Sequence, residues 1–169
     1  MTLCVRSEEP RDRAAVHAVN VAAFGTSVEA DMVDTLREKT RPLISLLAEL
    51  DGVVVGHILF SPVSLSDHPE LKIMGLGPMA VVPGHQRQGM GSALVRAGLE
   101  RCKKMSCDAV VVVGHPEYYP RFGFVPGSKY LIRCEYDVPD DVFMILELER
   151  GALEQASGVV RYDEALRGA

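Results

Sequence analysis

The amino-acid sequence predicts a mixed α/β fold, in which antiparallel hairpins come first, a parallel β-α-β unit comes later, and helices cover the faces of the sheet. The chain has 169 residues, of which 47% are hydrophobic, and this is the size of one domain with a substantial core. Asp51-Gly52, a hairpin-turn signal, separates two apolar runs. A strand, a helix and a fully apolar strand then follow one another between 71 and 114, the order of a parallel crossover unit. We expect one domain over residues 1–169.

The chain begins with a short strand at 3–6, which two helices follow. Acidic residues and a proline at 7–10 are typical of a helix start, and the first helix ends at Gly25. The second helix starts at Ser27 and carries apolar residues at every fourth position until Pro42 breaks the chain. Both helices therefore have one apolar stripe that can pack on a sheet.

The middle of the chain predicts three consecutive strands. The runs 43–50 and 53–63 are strongly apolar and are joined by the hairpin turn. A third strand at 71–82 contains glycines and a proline between 75 and 78. Glycine and proline inside a strand mark a bulge or a close backbone approach, so we expect this strand to have an irregular edge.

The second half of the chain predicts a helix at 89–105, a buried strand at 108–114, a short helical piece at 116–122 and a last strand at 142–149. The element order is then β-α-α-β-β-β-α-β-α-β. The tail, 151–169, is weakly patterned, and we expect it to pack as a small appendage.

Charge and cysteine spacing argue against several classes of protein. The formal net charge is −5, whereas a general nucleic-acid binder shows a basic face. No apolar run approaches the ~18 residues of a membrane span, and residues 1–6 lack the apolar stretch of a signal peptide. None of the four cysteines forms a C-x-x-C pair, so buried reduced thiols are expected rather than a zinc site. We expect a cytoplasmic protein with no nucleic-acid, membrane or metal partner.

The segment between the strand at 71–82 and the helix at 89–105 has the pattern of a phosphate-binding loop. The first amides of a helix lack intrahelical partners and lie at the positive end of its dipole, a geometry that binds phosphate. Gly89 and Gly91 lack Cβ atoms, so an anion can approach the backbone, and Arg87 adds local positive charge. The alternative, in which the glycines serve tight packing only, stays open.

Two better-known phosphate motifs do not fit this sequence. A P-loop requires a lysine after its last glycine, and none follows Gly91. Gly75, Gly77 and Ala80 match the letters of a dinucleotide fingerprint, but the chain continues as a strand there and not as a helix. The second glycine pair has Leu94 where the fingerprint needs its third glycine.

The remaining match is Q/R-x-x-G-x-G/A, formed by Gln86, Gly89 and Gly91. Further along the chain, Tyr119 stands four residues before the pair Gly123-Phe124. Together with the flanking strand and helix, these motifs resemble those of the GNAT superfamily of N-acetyltransferases. The loop pattern is the coenzyme-A signature of that superfamily.

The resemblance covers residues 2 to about 149, and the segments 55–61 and 141–144 look most like the bacterial subgroup typified by YhbS. It implies the GNAT acyl-CoA N-acyltransferase fold, with a mostly antiparallel central sheet, one parallel splayed pair of strands, and helices on both faces. The sequence departs from the family at His115-Pro116, where an asparagine is usual.

The resemblance also implies that acetyl-CoA is the acetyl donor, that no metal is needed, and that the amine attacks the thioester directly. The pantetheine arm would pair with the backbone at 79–81 like an added strand, and the pyrophosphate would rest on the amides of 86–91. A backbone N–H near 79–80 would hold the thioester oxygen. The expected cofactor contacts are Met79, Ala80, Val81, Gln86, Arg87, Gln88, Gly89, Met90, Gly91, Ser92 and Tyr119.

Tyr119 matches the family's tyrosine and is the candidate acid for the leaving thiolate, because a phenol with a pKa near 10 stays protonated at pH 7. The alternative is a packing tyrosine. The base is not readable: His57 lies mid-strand and is interpreted as a hydrogen-bonded core histidine, while Glu117 fits a helix start. Cys102 and Cys107 have no evident base partner and are not candidate nucleophiles.

The predicted function is transfer of an acetyl group from acetyl-CoA to a primary amine, with a small-molecule amine as partner. One alternative is a non-catalytic acyl-CoA sensor. Another is an acetyltransferase for protein N-termini or lysines, for which Glu29, Asp31 and Asp34 would form an acidic groove, unless they are an ordinary solvated helix face. The sequence leaves the acceptor and the oligomeric state open, although a homodimer is the commonest closed assembly.

Overall fold

The computed structural model describes residues 2–163. Within this range it contains three α-helices, α1 (Arg13–Phe24), α2 (Val28–Lys39) and α3 (Met90–Lys104). The strands are β1 (Leu3–Ser7), β2 (Ile44–Leu50), β3 (Val53–Leu65), β4 (Ile73–Val81), β5 (Ala109–Val113), β6 (Val125–Pro126), β7 (Ile132–Cys134), β8 (Phe143–Glu147) and β9 (Gly158–Arg161).

The predicted order of strands and helices is confirmed, with bounds that differ by a few residues. The helical piece expected at 116–122 is a single 3₁₀ turn, Tyr119–Phe122. Three strands were not expected from the sequence: β6, β7 and β9. They are short, with 2, 3 and 4 residues, so they display no clear period-2 alternation of apolar residues.

The described residues form two compact units that alternate along the chain. The first contains residues 2–61 and 77–100, and the second contains 62–76 and 101–163. β3, β4 and α3 each contribute residues to both units. The expectation of a single domain stays a prediction.

In the first unit, β1 pairs antiparallel with β2, and β2 pairs antiparallel with β3. The β2–β3 turn has φ 51° at Asp51 and φ 84° at Gly52. Left-handed backbone at both positions is the requirement of a type I′ hairpin, for which Asp-Gly is a preferred pair. The hairpin prediction is therefore confirmed, together with its physical reason.

Helices cover both faces of β3 within the first unit. Consecutive strand residues point to opposite faces. Leu59 joins an apolar cluster with α1, α2 and β2, whereas Phe60 lies against α3, where a Cβ on Gly98 would be 2.1 Å from the Phe60 ring. Gly98 thus allows α3 to lie close to the sheet. The cluster on the first face consists of Val16, Met32, Val33, Leu36, Leu47 and Leu59.

In the second unit, β4 and β5 are parallel, with the ladder running from Ile73↔Ala109 to Leu76↔Val112. β8 pairs antiparallel with β5 and with β6. The predicted parallel pair in a mostly antiparallel sheet is thereby confirmed. A second short parallel pair is formed by β7 and β9, and β9 also pairs antiparallel with the end of β3.

The tail does not form an appendage within the described residues. Leu153, Ala156 and Val160 are buried in the apolar core of the second unit, and β9 pairs with both β3 and β7. The expectation was wrong because three spaced apolar residues complete a core without a visible pattern. Residues 164–169 of the predicted appendage lie outside the described residues.

Candidate active site

β4 extends beyond its parallel ladder with β5. The ladder ends at Leu76, and the strand continues through Gly77 to Val81. Ala80 is buried and Met79 is half-buried. These residues carry the backbone that the sequence predicts to pair with pantetheine, and the pairing itself stays a prediction.

The loop after β4 is held in place at both of its ends. The Gln86 side-chain amide donates to the carbonyl oxygen of Val81 at 2.9 Å. Met90 is buried in an apolar cluster with Leu50 and Val55. The loop therefore starts at a hydrogen bond to the end of β4 and finishes at a core residue, so the residues between these two anchors have restricted positions.

The backbone between the anchors turns through two left-handed residues, Arg87 at φ 63° and Gly89 at φ 85°. Successive N–H groups in such turns form concave anion-binding rows. The first α-helical bond of α3 runs from Ala93 N to Gly89 O at 3.0 Å, so the amides of Met90 and Gly91 precede it. No described residue accepts a hydrogen bond from the N–H of Gly89, Met90 or Gly91.

The space beside this row is open. A Cβ built on Gly89 would meet no atom within 4 Å. Gln86, Arg87 and Gln88 are exposed, and Gly91 and Ser92 are half-buried. Of the predicted cofactor contacts, the structure thus brings residues 86–92 together as one loop and helix start.

Tyr119 belongs to a 3₁₀ turn in the second unit and is only 7% exposed. Its ring packs edge-on with Phe124, with centroids 5.8 Å apart. Gly123 ends the turn at φ 101°, and its N–H bonds to the carbonyl of Pro120 at 3.0 Å. The Gly-Phe pair of the motif therefore supplies a left-handed turn and a ring that fixes Tyr119.

The position of the Tyr119 ring also depends on Gly114, which the sequence analysis did not single out. A Cβ on Gly114 would be 2.5 Å from Cε2 of Tyr119, closer than a real Cβ contact allows. The only signal in the sequence is a glycine at the end of a buried valine run. The contact between Gly114 and the Tyr119 ring was not predictable, because it depends on how the chain turns back at Tyr119.

Burial, and then the nearby Tyr118, raises the pKa of Tyr119 to about 12. The phenol is therefore protonated throughout the neutral range. No described residue forms a hydrogen bond with its hydroxyl. A buried, protonated phenol of this kind can donate a hydrogen bond to the sulfur of a leaving thiolate.

His57 is fully buried and hydrogen-bonded on both ring nitrogens, as the interpretation of a core histidine required. Nε2 lies 2.8 Å from Oγ of Ser45, and Nδ1 lies 3.2 Å from Nδ2 of Asn20. Ser45 also bonds to the Glu8 carboxylate at 2.9 Å. The prediction that His57 belongs to the core is confirmed.

The bonds around His57 determine its tautomer. A carboxylate only accepts, so the Ser45 hydroxyl donates to Glu8 and must accept from His57 Nε2–H. Nδ1 then accepts from Asn20, whose amide also donates to the Val16 carbonyl at 3.0 Å. Burial, and then the charge of Arg37, lowers the pKa of His57 to about 3. No nitrogen of this ring is available as a base.

The remaining candidate groups are one carboxylate and two thiols. Glu117 is exposed. Burial raises the pKa of Cys102 to about 12 and also raises the pKa of Cys107, in agreement with the expectation that neither is a nucleophile. Cys134 is buried as well, but Cys4 is exposed, so the expectation of buried thiols does not extend to it.

The acidic face of α2 is partly neutralised by its neighbours. Asp34 pairs with Arg37 at 2.7 Å and with His17 at 2.9 Å. His17, Asp31 and Asp34 offer ligand atoms within 4.8 Å of one another, but the guanidinium of Arg37 beside Asp34 competes with any cation there.

Within residues 2–163, no helix has both the length and the apolar character that crossing a membrane demands.

The sequence and the fold are both similar to those of known acetyltransferases. A sequence model of the acetyltransferase (GNAT) family matches residues 13–124. The Uncharacterized N-acetyltransferase YjhQ of Escherichia coli K12 is 43% identical over 135 residues, which are 77% of this chain and 74% of YjhQ. The Uncharacterized N-acetyltransferase YhbS of the same strain is 32% identical over 163 residues, which are 96% of this chain and 97% of YhbS.

Two crystal structures share the fold along nearly the whole chain. YhbS from Escherichia coli in complex with CoA superposes with a TM-score of 0.91 at 32% identity, covering 98% of this chain and 92% of YhbS. A GNAT family acetyltransferase from Brucella melitensis in complex with acetyl-CoA gives a TM-score of 0.81 at 33% identity, covering 98% of both chains. The chain belongs to the GNAT family of acetyltransferases.

Proposed function

We propose that the protein transfers an acetyl group from acetyl-CoA to the primary amine of a small molecule, in the cytoplasm. The observation that carries the proposal is the row of backbone N–H groups at Gly89, Met90 and Gly91. Two relatives that align with 98% of this chain were crystallised with CoA and with acetyl-CoA. Buried free thiols such as those of Cys102 and Cys107 fit a reducing compartment.

The loop and the helix start would hold the pyrophosphate. Each hydrogen bond from a protein N–H to a charged oxygen contributes about 1.5–3 kcal/mol, and the positive end of the α3 dipole adds to it. The exposed guanidinium of Arg87 supplies further local positive charge. These contributions outweigh the repulsion from a net charge of −5, most of which is screened by solvent.

The backbone of β4 at Met79, Ala80 and Val81 would orient the pantetheine arm, and one of its N–H groups would hold the thioester oxygen as negative charge develops there. Acetyl-CoA supplies the activated acetyl thioester. The amine nitrogen attacks the carbonyl carbon, the C–S bond breaks, and the sulfur leaves as a thiolate.

Tyr119 would act as the acid by donating a hydrogen bond from its phenol to that thiolate. The raised pKa of Tyr119, about 12, keeps the phenol protonated until the sulfur leaves. A thiol has a pKa of about 8.5, so the thiolate is a weaker base than the phenolate, and proton transfer to sulfur is completed only as solvent returns a proton to Tyr119. The proton lost by the attacking amine needs a separate acceptor, and the bonds on His57 argue against that histidine.

The binding half of the proposal is tested by substitution at Gly89. Gly89→Val places a branched side chain in the open space beside the amide row and strains the left-handed backbone, so CoA affinity should fall at least tenfold by calorimetry. Gly84→Val is the matched control, because a Cβ at Gly84 also meets nothing within 4 Å. Wild-type CoA affinity in a folded Gly89→Val variant would remove the cofactor assignment.

The catalytic half is tested by thiol release from acetyl-CoA in the presence of amines. Amine-dependent release with a small polyamine, amino acid or aminoglycoside supports the proposal. CoA binding without release for any amine would instead indicate an acyl-CoA sensor. Release only with basic peptides would indicate a protein acetyltransferase, against which the pairing of Asp34 with Arg37 already argues.

A further inference from the structure

A pocket of about 230 Å³ lies in the first unit, between the β1–α1 turn, the end of α2 and the strands β2 and β3. Arg13 at the start of α1 and Arg41 just after α2 contribute to its wall. The two helices have 12 residues each, about 18 Å, so the pocket is at the end of the helical hairpin that is farthest from their connection at 25–27. None of the residues assigned above to cofactor binding lines it.

The charges on the floor of this pocket are already matched. Glu8 accepts hydrogen bonds from Arg37, with Nη2 at 2.6 Å, and from the Ser45 hydroxyl at 2.9 Å. Arg37 also donates a hydrogen bond from Nη1 to the Asp34 carboxylate at 2.7 Å. The nearby Glu9 carboxylate lies 2.8 Å from Arg11. The acidic groups of the pocket are therefore paired and do not demand a cationic ligand.

Two guanidinium groups on the wall are not matched in this way. Arg41 is held by hydrogen bonds from one branch, Nη1, to the carbonyl oxygens of Arg37 and Thr40 at 2.5 and 2.7 Å. Within the described residues, no acceptor engages its other branch, and none engages Arg13. A fixed guanidinium with free donors is prepared for a carboxylate, which it can bind in bidentate geometry.

The rest of the wall is apolar. Leu43 and Pro10 are the accessible apolar groups, and Val33 and Leu59 lie behind them with 1% exposure each. An anion with a short apolar body can then bury that body while its charge meets the arginines. Inorganic phosphate has no such body and would leave the apolar wall in contact with water.

We propose that this pocket binds a small organic carboxylate with a short branched apolar body, with the carboxylate on Arg41 and Arg13 and the body on Leu43. The site is separate from acetyl-CoA binding and does not depend on the proposed reaction. The ligand class follows from two free guanidinium groups beside an apolar wall.

The experiment is a titration of the full chain with 3-methylbutanoate, followed by amide NMR or calorimetry, in parallel with 3-methylbutanamide and inorganic phosphate. The carboxylate should bind saturably, and the amide and phosphate should bind at least tenfold more weakly. Arg41→Gln should weaken carboxylate binding at least tenfold, since the charge-assisted hydrogen bonds from its guanidinium are lost. Arg13→Gln, at an exposed helix start, should weaken it severalfold with no effect on folding.

Arg150→Gln is the matched control, because it removes the same charge from an exposed turn in the second unit and should leave carboxylate affinity unchanged. Unfolding temperatures confirm that each variant is folded. The proposal is overturned by any of three results: no saturable carboxylate binding, equal affinity for the amide, or unchanged affinity in both arginine variants. Displacement of the carboxylate by CoA would also overturn it.

Discussion

Tyr119 and His57 are both buried, and burial moves the pKa of each toward its neutral form. The pKa of Tyr119 rises to about 12, whereas that of His57 falls to about 3. Their surroundings differ in hydrogen bonding. His57 has a partner on each ring nitrogen, whereas the hydroxyl of Tyr119 has none among residues 2–163.

The difference shows which kind of buried polar group is suited to chemistry. A group whose bonds are all made in the folded protein stabilises that fold and has nothing left for a substrate. A polar group with an unmade bond has a cost in the folded state that a ligand can remove. By this criterion His57 belongs to the architecture of the first unit, whereas Tyr119 keeps a hydrogen-bonding group that the proposed role of acid requires.

The largest expected effect is on stability, through His57. In the unfolded chain, His57 takes up a proton as the pH falls below its ordinary pKa of about 6.5. In the folded protein it stays neutral down to about pH 3, so the free energy of unfolding falls as the pH falls through this range. The slope is about 1.4 kcal/mol per pH unit, or roughly 3 kcal/mol between pH 6.5 and 4. Urea unfolding of wild type and His57→Gln at several pH values measures it, since all other groups cancel in the difference. A difference independent of pH would refute the assignment of a neutral, fully bonded ring.

The next effect is on turnover, through Tyr119. Tyr119→Phe should lower kcat about 100-fold, within the usual range for a general acid, and change the acetyl-CoA affinity by no more than about twofold. Stability should hardly change, because the ring and its contacts with Phe124 remain. Steady-state kinetics and thermal unfolding together test this. An unaltered kcat would make Tyr119 a packing residue like those around it.

Gly114→Ala should lower kcat about tenfold, because the new Cβ would displace the Tyr119 ring with which it would collide. The decisive measurement is the double variant. If Gly114 acts through the phenol, Gly114→Ala adds no further loss of kcat to Tyr119→Phe. Additive losses would show that Gly114 affects turnover by another route.

The smallest effect is expected at the loop. Gln86→Leu removes the 2.9 Å bond to Val81 and loosens one anchor of the amide row, so the dissociation constant for CoA should rise about threefold. Gln155→Leu, the same exchange at an exposed turn in the second unit, should leave it unchanged. Equal losses in the two variants would mean that the side-chain amide of Gln86 has no anchoring role.

The sequence was sufficient to predict the backbone turn of the loop after β4, because the glycines of its motif mark positions with a particular backbone geometry. Gly89 has a positive φ and stands next to open space, so glycine itself indicates what the position requires. The same holds for Asp51-Gly52 and for Gly123. In each case the residue type records a local conformation.

The sequence was insufficient where a role depends on a distant partner. Asn20 and Ser45 stand 37 and 12 residues from His57, and nothing in their local patterns predicts that they meet on its ring. The pairing of β9 with β3 joins even more distant residues, such as Ser64 and Arg161, so the tail was misjudged. The tautomer of His57 and the room that Gly114 makes became visible only once packing was known.

The alternation of the two units along the chain has a consequence for synthesis. Residues 62–76 belong to the second unit, but most of their partners emerge from the ribosome only after residue 101. Until then β3 and β4 expose strand backbone that the first unit cannot satisfy. Neither unit is a continuous segment of the chain, so neither can be exchanged or duplicated by a simple fusion.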